Sequence, residues 1–257
     1  MPARRAGPSW WLLGAVLVYG PLALFLDGRA RAPWPDQYAI GAVTLVVLWL
    51  ASRTLPATDR STIWICVAVA TAFEALGSQV WGGYHYRFGG IPAFVPFGHG
   101  LIYVFGIGLA ATDLVRRYER PFSLAILAIA VGWAIGGLTV LPGVTGRTDI
   151  HGILWLQLFA YVLLFSPRRA FFAALFIATT DVELFGTWFG SWKWLAQTPW
   201  LHVTSGNPPS AIAGGYAIID GTVLIVALAL RGAVATARAR RRSRAGAMNL
   251  IPDRLRT

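Results

Sequence analysis

The chain has 257 residues, 56% of them hydrophobic and 13% charged, whereas a soluble domain carries about 25% charged residues. So few polar side chains cannot wet a globule of this size, which excludes a water-soluble single domain and makes lipid the expected solvent. The net charge of +11 does not point to nucleic acid, because the basic residues lie in short loops and in a terminal run from Arg231 onward, not on one face.

Eight apolar runs approach or reach the length of about 17–25 residues that crosses a bilayer. In chain order they are Trp10–Leu26, Gln37–Ser52, Ser61–Trp81, His99–Val115, Phe122–Leu141, Ile150–Phe165, Ala170–Phe189 and Ala211–Arg231. The expected fold class is therefore all-α, a polytopic transmembrane helical bundle. Many of the 12 Trp, 8 Tyr and 14 Phe fall near the ends of these runs, as in the aromatic belts at lipid headgroups. The single cysteine, Cys66, lies inside the third run, so neither an internal disulfide nor a CxxC site can form. Arg4 and Arg5 ahead of an apolar run, with Ala30-Arg31-Ala32 beyond it, resemble a signal peptide. The first run is nevertheless expected to be a retained helix, because seven spans would spoil the repeat described next.

Loop charge sets the expected orientation. Arg4, Arg5, Arg53, Arg60, Arg116, Arg117, Arg120, Arg168, Arg169 and the basic tail fall on one side, and only Arg29, Arg31, Arg87, Arg147 and Lys193 on the other. The positive-inside rule then places both termini in the cytoplasm of a multi-pass cell-membrane protein. Residues 237–257 form the tail, whose arginines Arg238–Arg244 are expected to lie against anionic lipid.

Two stretches align without a gap. The one from Arg60, RSTIWICVAVATAFEALG, matches the one from Arg169, RAFFAALFIATTDVELFG, with Arg60/Arg169, Thr71/Thr180, Glu74/Glu183 and Gly77/Gly186 identical. Beyond them WGGYHY (Trp81–Tyr86) answers WFGSWKW (Trp188–Trp194), and upstream Asp36-Gln37-Tyr38 resembles Asp149-Ile150-His151. The expectation is a parallel repeat of four helices, residues 1–120 and 121–236, related by an axis along the membrane normal.

Carboxylates inside a membrane cost roughly 2.5–3.5 kcal/mol each on insertion scales, so they mark function or interhelical pairing. Four lie within the runs: Glu74, Asp181, Glu183 and Asp220. Asp113, beside Arg116 and Arg117, reads as a solvated helix end. Asp181 and Glu183, two residues apart on a helix, point about 200° from each other and are not expected to share a small site. Glu183 has the repeat partner Glu74, so these two are expected to face each other across the axis, with Asp220 as a third member. The four histidines His85, His99, His151 and His202 all fall on the outer side; with carboxylates they could hold Zn²⁺, Fe or Cu. No HxxH, HExxH or EF-type spacing is present, and no cofactor is required by the sequence. The loops Ile91–Gly100 and Thr204–Gly215 bring Pro and Gly to the mouths of the fourth and eighth runs. They read as helix starts, Asn207 ahead of Pro208 and Pro209 being a cap signal, or as the entrance of a pocket.

An acid-bearing helix, an aromatic motif and a proline-bearing loop thus occur twice, as Glu74, Gly77, Gly83–Tyr86 and Pro92–His99, and as Asp181, Glu183, Trp192–Trp194 and Gly206–Pro209. This arrangement resembles the multispan carotenoid-biosynthesis proteins of the bacterioruberin hydratase type and, more loosely, the small membrane-bound lycopene and meroterpenoid cyclases. The first loop lacks the acidic residues expected of a lycopene cyclase. The resemblance implies acid-catalysed hydration or cyclisation of a hydrophobic isoprenoid: a carboxylic acid protonates a double bond, and a second carboxylate with aromatic faces stabilises the carbocation. Trp81, Tyr84, Tyr86, His99, Trp188, Trp192, Trp194 and Asn207 are then the substrate-contacting candidates, and the partners are an isoprenoid or lipid and the bilayer. The same acids would equally serve as a proton relay in a transporter, or hold helices together in a subunit without catalysis.

Overall fold

The structure, a computed structural model, describes residues 10–249, with side chains described as far as residue 238. The helices are α1 (Trp10–Asp27), α2 (Tyr38–Arg53), α3 (Ala57–Ala75), α4 (Val95–Ala110), α5 (Asp113–Arg117), α6 (Glu119–Thr139), α7 (Pro142–Thr145), α8 (Ile150–Phe165), α9 (Arg169–Phe189) and α10 (Ala213–Asn249). A ribbon of two short strands, β1 (Tyr84–Tyr86) and β2 (Trp192–Trp194), lies at one end of the bundle. Among the described residues the fold is helical apart from that ribbon and an isolated bridge between Gln197 and Thr204. Five helical segments, Trp10–Asp27, Ala57–Trp81, Glu119–Thr139, Arg169–Phe189 and Ala213–Arg238, are long and apolar enough to cross a membrane. Val95–Ala110 and Ile150–Phe165 are shorter apolar helices, and α2 has 16 residues. Large apolar side chains lie exposed around the outside, among them Val43, Val46 and Leu50 on α2, Ile129 and Ile135 on α6, and Ile225 and Leu228 on α10. Such a surface is suited to hydrocarbon rather than water.

Helix boundaries follow local chemistry. The fourth helix starts at Val95, with Pro96 in its first turn, four residues before the expected start. It stops before Thr112, whose hydroxyl accepts from Val115 N at 3.4 Å and opens α5. Asp113 is exposed there, at a helix start beside two arginines. Helix α3 runs on through a π-helical turn, Leu76–Trp81, and ends at Gly82 (φ 72°); α9 ends at Gly190 (φ 77°). Both glycines hold the left-handed conformation that stops a helix and turns the chain into a strand.

Helix α9 lies at the centre, packed against α1, α4, α6, α8 and α10. Its buried Ala173, Ala174 and Ala178 allow neighbours to come close, and Gly106 of α4 leaves room for Leu175 of α9. Small residues serve this purpose where lipid removes the usual hydrophobic drive between helices. The contacts of α2, α3 and α4 correspond to those of α8, α9 and α10: α2 packs on α4 as α8 does on α10, and α4 on α9 as α10 does on α3. Helices α1 and α6 depart from this correspondence, because both lie against α9. Leu12, Leu13 and Val16 of α1 belong to the main apolar core.

Candidate functional site

The site is built from the ends of α3 and α9. After each capping glycine the chain folds back on its helix, Gly83 N donating to Gly77 O (3.1 Å) and Ser191 N to Gly186 O (2.9 Å). The strands then pair antiparallel in the register Tyr84↔Trp194, His85↔Lys193 and Tyr86↔Trp192. Flanking bonds from Arg87 N to Ser191 O and from Leu195 N to Gly83 O close the ribbon symmetrically. Alternation along a strand sends successive side chains to opposite faces. Tyr84, Tyr86, Trp192 and Trp194 therefore turn inward, and His85 and Lys193 are exposed.

The four inward rings bind the two glutamates. Glu74 Oε2 accepts from the hydroxyls of Tyr84 and Tyr86, both at 2.5 Å, and its Oε1 pairs with His99 Nε2 at 2.6 Å. Glu183 Oε2 accepts from the indole N–H groups of Trp192 (3.0 Å) and Trp194 (3.1 Å), and its Oε1 from the Tyr216 hydroxyl (3.0 Å). Each carboxyl thus takes two donors from its own strand and one from the following long helix. Gly77 and Gly186 explain how the rings fit: a Cβ at Gly77 would press on the Tyr84 hydroxyl, and one at Gly186 would overlap the Trp192 indole. Tyr216 stacks on His99 with ring centroids 5.3 Å apart, joining the two carboxyl clusters. Burial and the neighbouring Glu74 carboxylate push the Tyr84 and Tyr86 phenols well above the usual tyrosine value, so both act as hydrogen-bond donors.

Both glutamates line one cavity of about 420 Å³ whose wall is mostly apolar, with Phe73, Trp81, Phe94, Trp155, Ile212 and Ile219 among its residues. Its wall also includes Leu76, Val80, Trp200 and Ile218, which are exposed at the outer surface of the bundle. The cavity therefore reaches the apolar exterior beside α3 and α10, which pack together.

Trp81, Tyr84, Tyr86, His99, Trp192 and Trp194 all stand on the cavity wall with Glu74 and Glu183. Other expectations are corrected. Trp188 is 80% exposed and faces away from the cavity, since it lies on the opposite side of α9 from the inward-facing Glu183. Asn207 is exposed and off the wall; its Oδ1 accepts from Trp194 N at 2.8 Å and so fixes the strand backbone. Asp220 is buried but is not part of the wall. Asp181, not expected to share a site with Glu183, lines the same cavity from its α1 side, because the cavity extends around α9 toward Gly20. The histidines occupy separate places: His85 and His202 are exposed, His99 is held by Glu74, and His151 Nδ1 lies 3.0 Å from Ser205 Oγ. Among the described residues, no three His, Cys, Asp or Glu side chains gather as a metal site would require.

Sequence reasoning missed Tyr216 and Trp155, and named Asp149 only as the counterpart of Asp36. Tyr216 carries a legible signal, being a polar ring in the first turns of the helix that follows β2, as His99 is in the helix that follows β1. Asp149 accepts from Gly152 N and Gly206 N (both 2.9 Å) and from Ser210 N and Oγ (both 2.6 Å), tying the 204–210 loop to the start of α8. Its proposed counterpart Asp36 caps only Arg31 N, at an exposed turn. Buried Gln37, from the same tripeptide, donates instead to Asp27 at 2.7 Å. Comparison with protein-family models, with curated proteins and with solved structures finds no match to this chain.

Proposed function

We propose that this chain is an integral membrane enzyme that modifies a hydrophobic isoprenoid or related lipid by acid-catalysed hydration or cyclisation of a carbon–carbon double bond. The observation that carries the reading is the pair of buried carboxyls, each held by three donors, on the wall of an apolar cavity that reaches the lipid-facing surface. A long polyene would seat its end group in the cavity and leave the rest in lipid beside Leu76, Val80 and Ile218. In this reading the chain is a multi-pass cell-membrane protein of eight spans, the shorter helices crossing with the longer ones, and both termini are cytoplasmic. The two glutamate clusters and the symmetric ribbon support a repeat of α2–α4 in α8–α10, with α1 and α6 outside it.

The hydrogen bonds suggest different roles for the two acids. Glu74 receives two phenols and an imidazole, a setting that favours the anion. Glu183 has both indoles, which can only donate, on Oε2; its Oε1 faces Tyr216, whose hydroxyl can turn to accept. Glu183 can therefore carry a proton on Oε1. It would give that proton to one alkene carbon, forming a new C–H bond and a cation at the adjacent carbon. Glu74 and the faces of Trp81, Tyr84 and Trp155 would stabilise the cation. Attack by water followed by loss of its proton gives an alcohol; attack by a second double bond followed by loss of a ring proton gives a cyclised alkene. Either proton is lost to water and Glu183 regains one from water before the next turnover, so neither oxidant nor reductant is consumed.

Expression in a polyene-producing host, followed by chromatographic and mass analysis of its lipids, tests the reading. A product heavier by one water, or an isomer with a new ring, is the expected result. An unchanged lipid profile, with no isoprenoid co-purifying with the folded protein, would sink it.

A further inference from the structure

Beneath the acid site the bundle holds polar groups that the reaction above does not use. Helices α4 and α10 run in the same direction away from the ribbon, and His99 and Tyr216 stack at its near end. One turn further along each helix, at i+4 and hence on the same face, stand Tyr103 (1% exposed) and Asp220 (5% exposed). Neither the Tyr103 hydroxyl nor Asp220 Oδ2 has a hydrogen-bond partner in the protein. Asp220 lies within electrostatic reach of both His99 and Tyr103. Helix α3 brings Cys66 to the same layer, its Sγ 3.8 Å from His99 O. Tyr103 also lines a second cavity of about 390 Å³ at the opposite end of the bundle, with Asp59, Thr62, Arg116, Glu119 and Arg231 on its wall.

Polar side chains therefore continue from a charged cavity at the basic end, through Tyr103 and Asp220, to His99 and Glu74. Orphaned polar atoms in a protein interior are costly, and buried water is the usual partner where two or more such groups meet. An apolar filling would have been the simpler design for this layer, yet two of its members carry oxygen.

We propose that Tyr103 and Asp220, bridged by internal water, form a relay that joins the basic-end cavity to the His99–Glu74 pair and supplies the acid site with protons and water from that side. The proposal rests on reading the site as an acid site. In each transfer a proton enters at Tyr103 from cavity water, passes by way of Asp220 and His99 to water in the acid cavity and so to Glu183, and leaves each relay group as it began once the waters reorient. The same water file delivers the molecule that a hydration consumes. Asp220 acts through His99 and is a positioning residue for the proton.

The test that does not depend on the reaction is hydroxyl-radical footprinting of the protein in nanodiscs, with water itself as the radical source and mass analysis as the readout. Tyr103 should be oxidised readily despite its burial, whereas Phe159, equally buried at 1% exposed, should stay silent. Tyr103 as silent as Phe159 would overturn the relay whatever the enzyme's substrate. With the active enzyme, Asp220→Asn and Tyr103→Phe should each lower kcat at least about tenfold, within the range of a lost proton-transfer step. They should leave KM unchanged and alter the solvent isotope effect, with Asp220→Glu restoring part of the rate. Wild-type rate and isotope effect in Asp220→Asn would also overturn it. If no product forms with any polyene while Tyr103 is labelled, the catalytic reading fails and the hydrated path stands.

Discussion

Glu183→Gln separates a catalytic carboxyl from a structural one, and the hydrogen bonds around it set the scale. The glutamine oxygen can take the place of Oε2 and accept from Trp192 and Trp194, while its amide faces Tyr216, whose hydroxyl rotates to accept. Every buried partner stays satisfied, so stability should change by no more than about 1 kcal/mol, the net worth of one altered hydrogen bond. Glu183→Leu would instead leave up to three buried donors unpaired at about 1–3 kcal/mol each, a sum that rivals the total stability of many proteins. Glutamine cannot release a proton, so turnover should fall by about 10²–10⁴-fold. Thermal melting in detergent and the host's lipid profile, measured on the same preparations, supply both readings. A Glu183→Gln protein with wild-type melting and wild-type product would refute the argument. Loss of folding in the glutamine variant would refute the hydrogen-bond accounting instead. Glu74→Gln is the matched control from the other cluster, and its amide can be met by the other tautomer of His99.

Other substitutions test the supports of the site. Gly186→Ala places a methyl group inside the Trp192 indole, and should cost about 1–3 kcal/mol as the ring is displaced from Glu183; thermal melting and tryptophan fluorescence would report both, and an unaltered melt would count against the fit described. Asp149→Ala removes the acceptor for three backbone N–H groups and the Ser210 hydroxyl; limited proteolysis should cut within 204–210, while Asp149→Asn should be milder. Tyr84 and Tyr86 titrate in the unfolded chain near pH 10 but are held neutral in the fold by burial and Glu74. Stability should therefore be intact below about pH 10 and decline above it, and the double variant Tyr84→Phe/Tyr86→Phe should flatten that decline in alkaline melting curves.

The membrane character and the helical class were legible because they depend on composition and run length, which are properties of the chain alone. Glu74 and Glu183 were legible for a related reason: a carboxyl in an apolar run is costly wherever the run packs, and its recurrence beside a matching glycine is visible as text. The Tyr-x-Tyr and Trp-x-Trp motifs could be read as aromatic pairs, and their period of two already suited a strand with one inward face. Their pairing into one ribbon, in the register that hands each glutamate two donors, was decided only when α4 and α10, each packed on both α3 and α9, brought the ends of those two helices to one place. Tertiary packing also decided what an isolated helix cannot state, namely which face is covered. Trp188 and Trp192 are the same residue type four positions apart, yet the chain turns at Gly190 between them, so one faces outward and the other binds Glu183. Asp36 and Asp149 look alike in sequence, but only Asp149 meets a returning loop with free N–H groups to satisfy. Helices α1 and α6, expected as equivalent members of a four-helix unit, both settle on α9, because the small side chains of a helix define a groove only once its neighbours are in place.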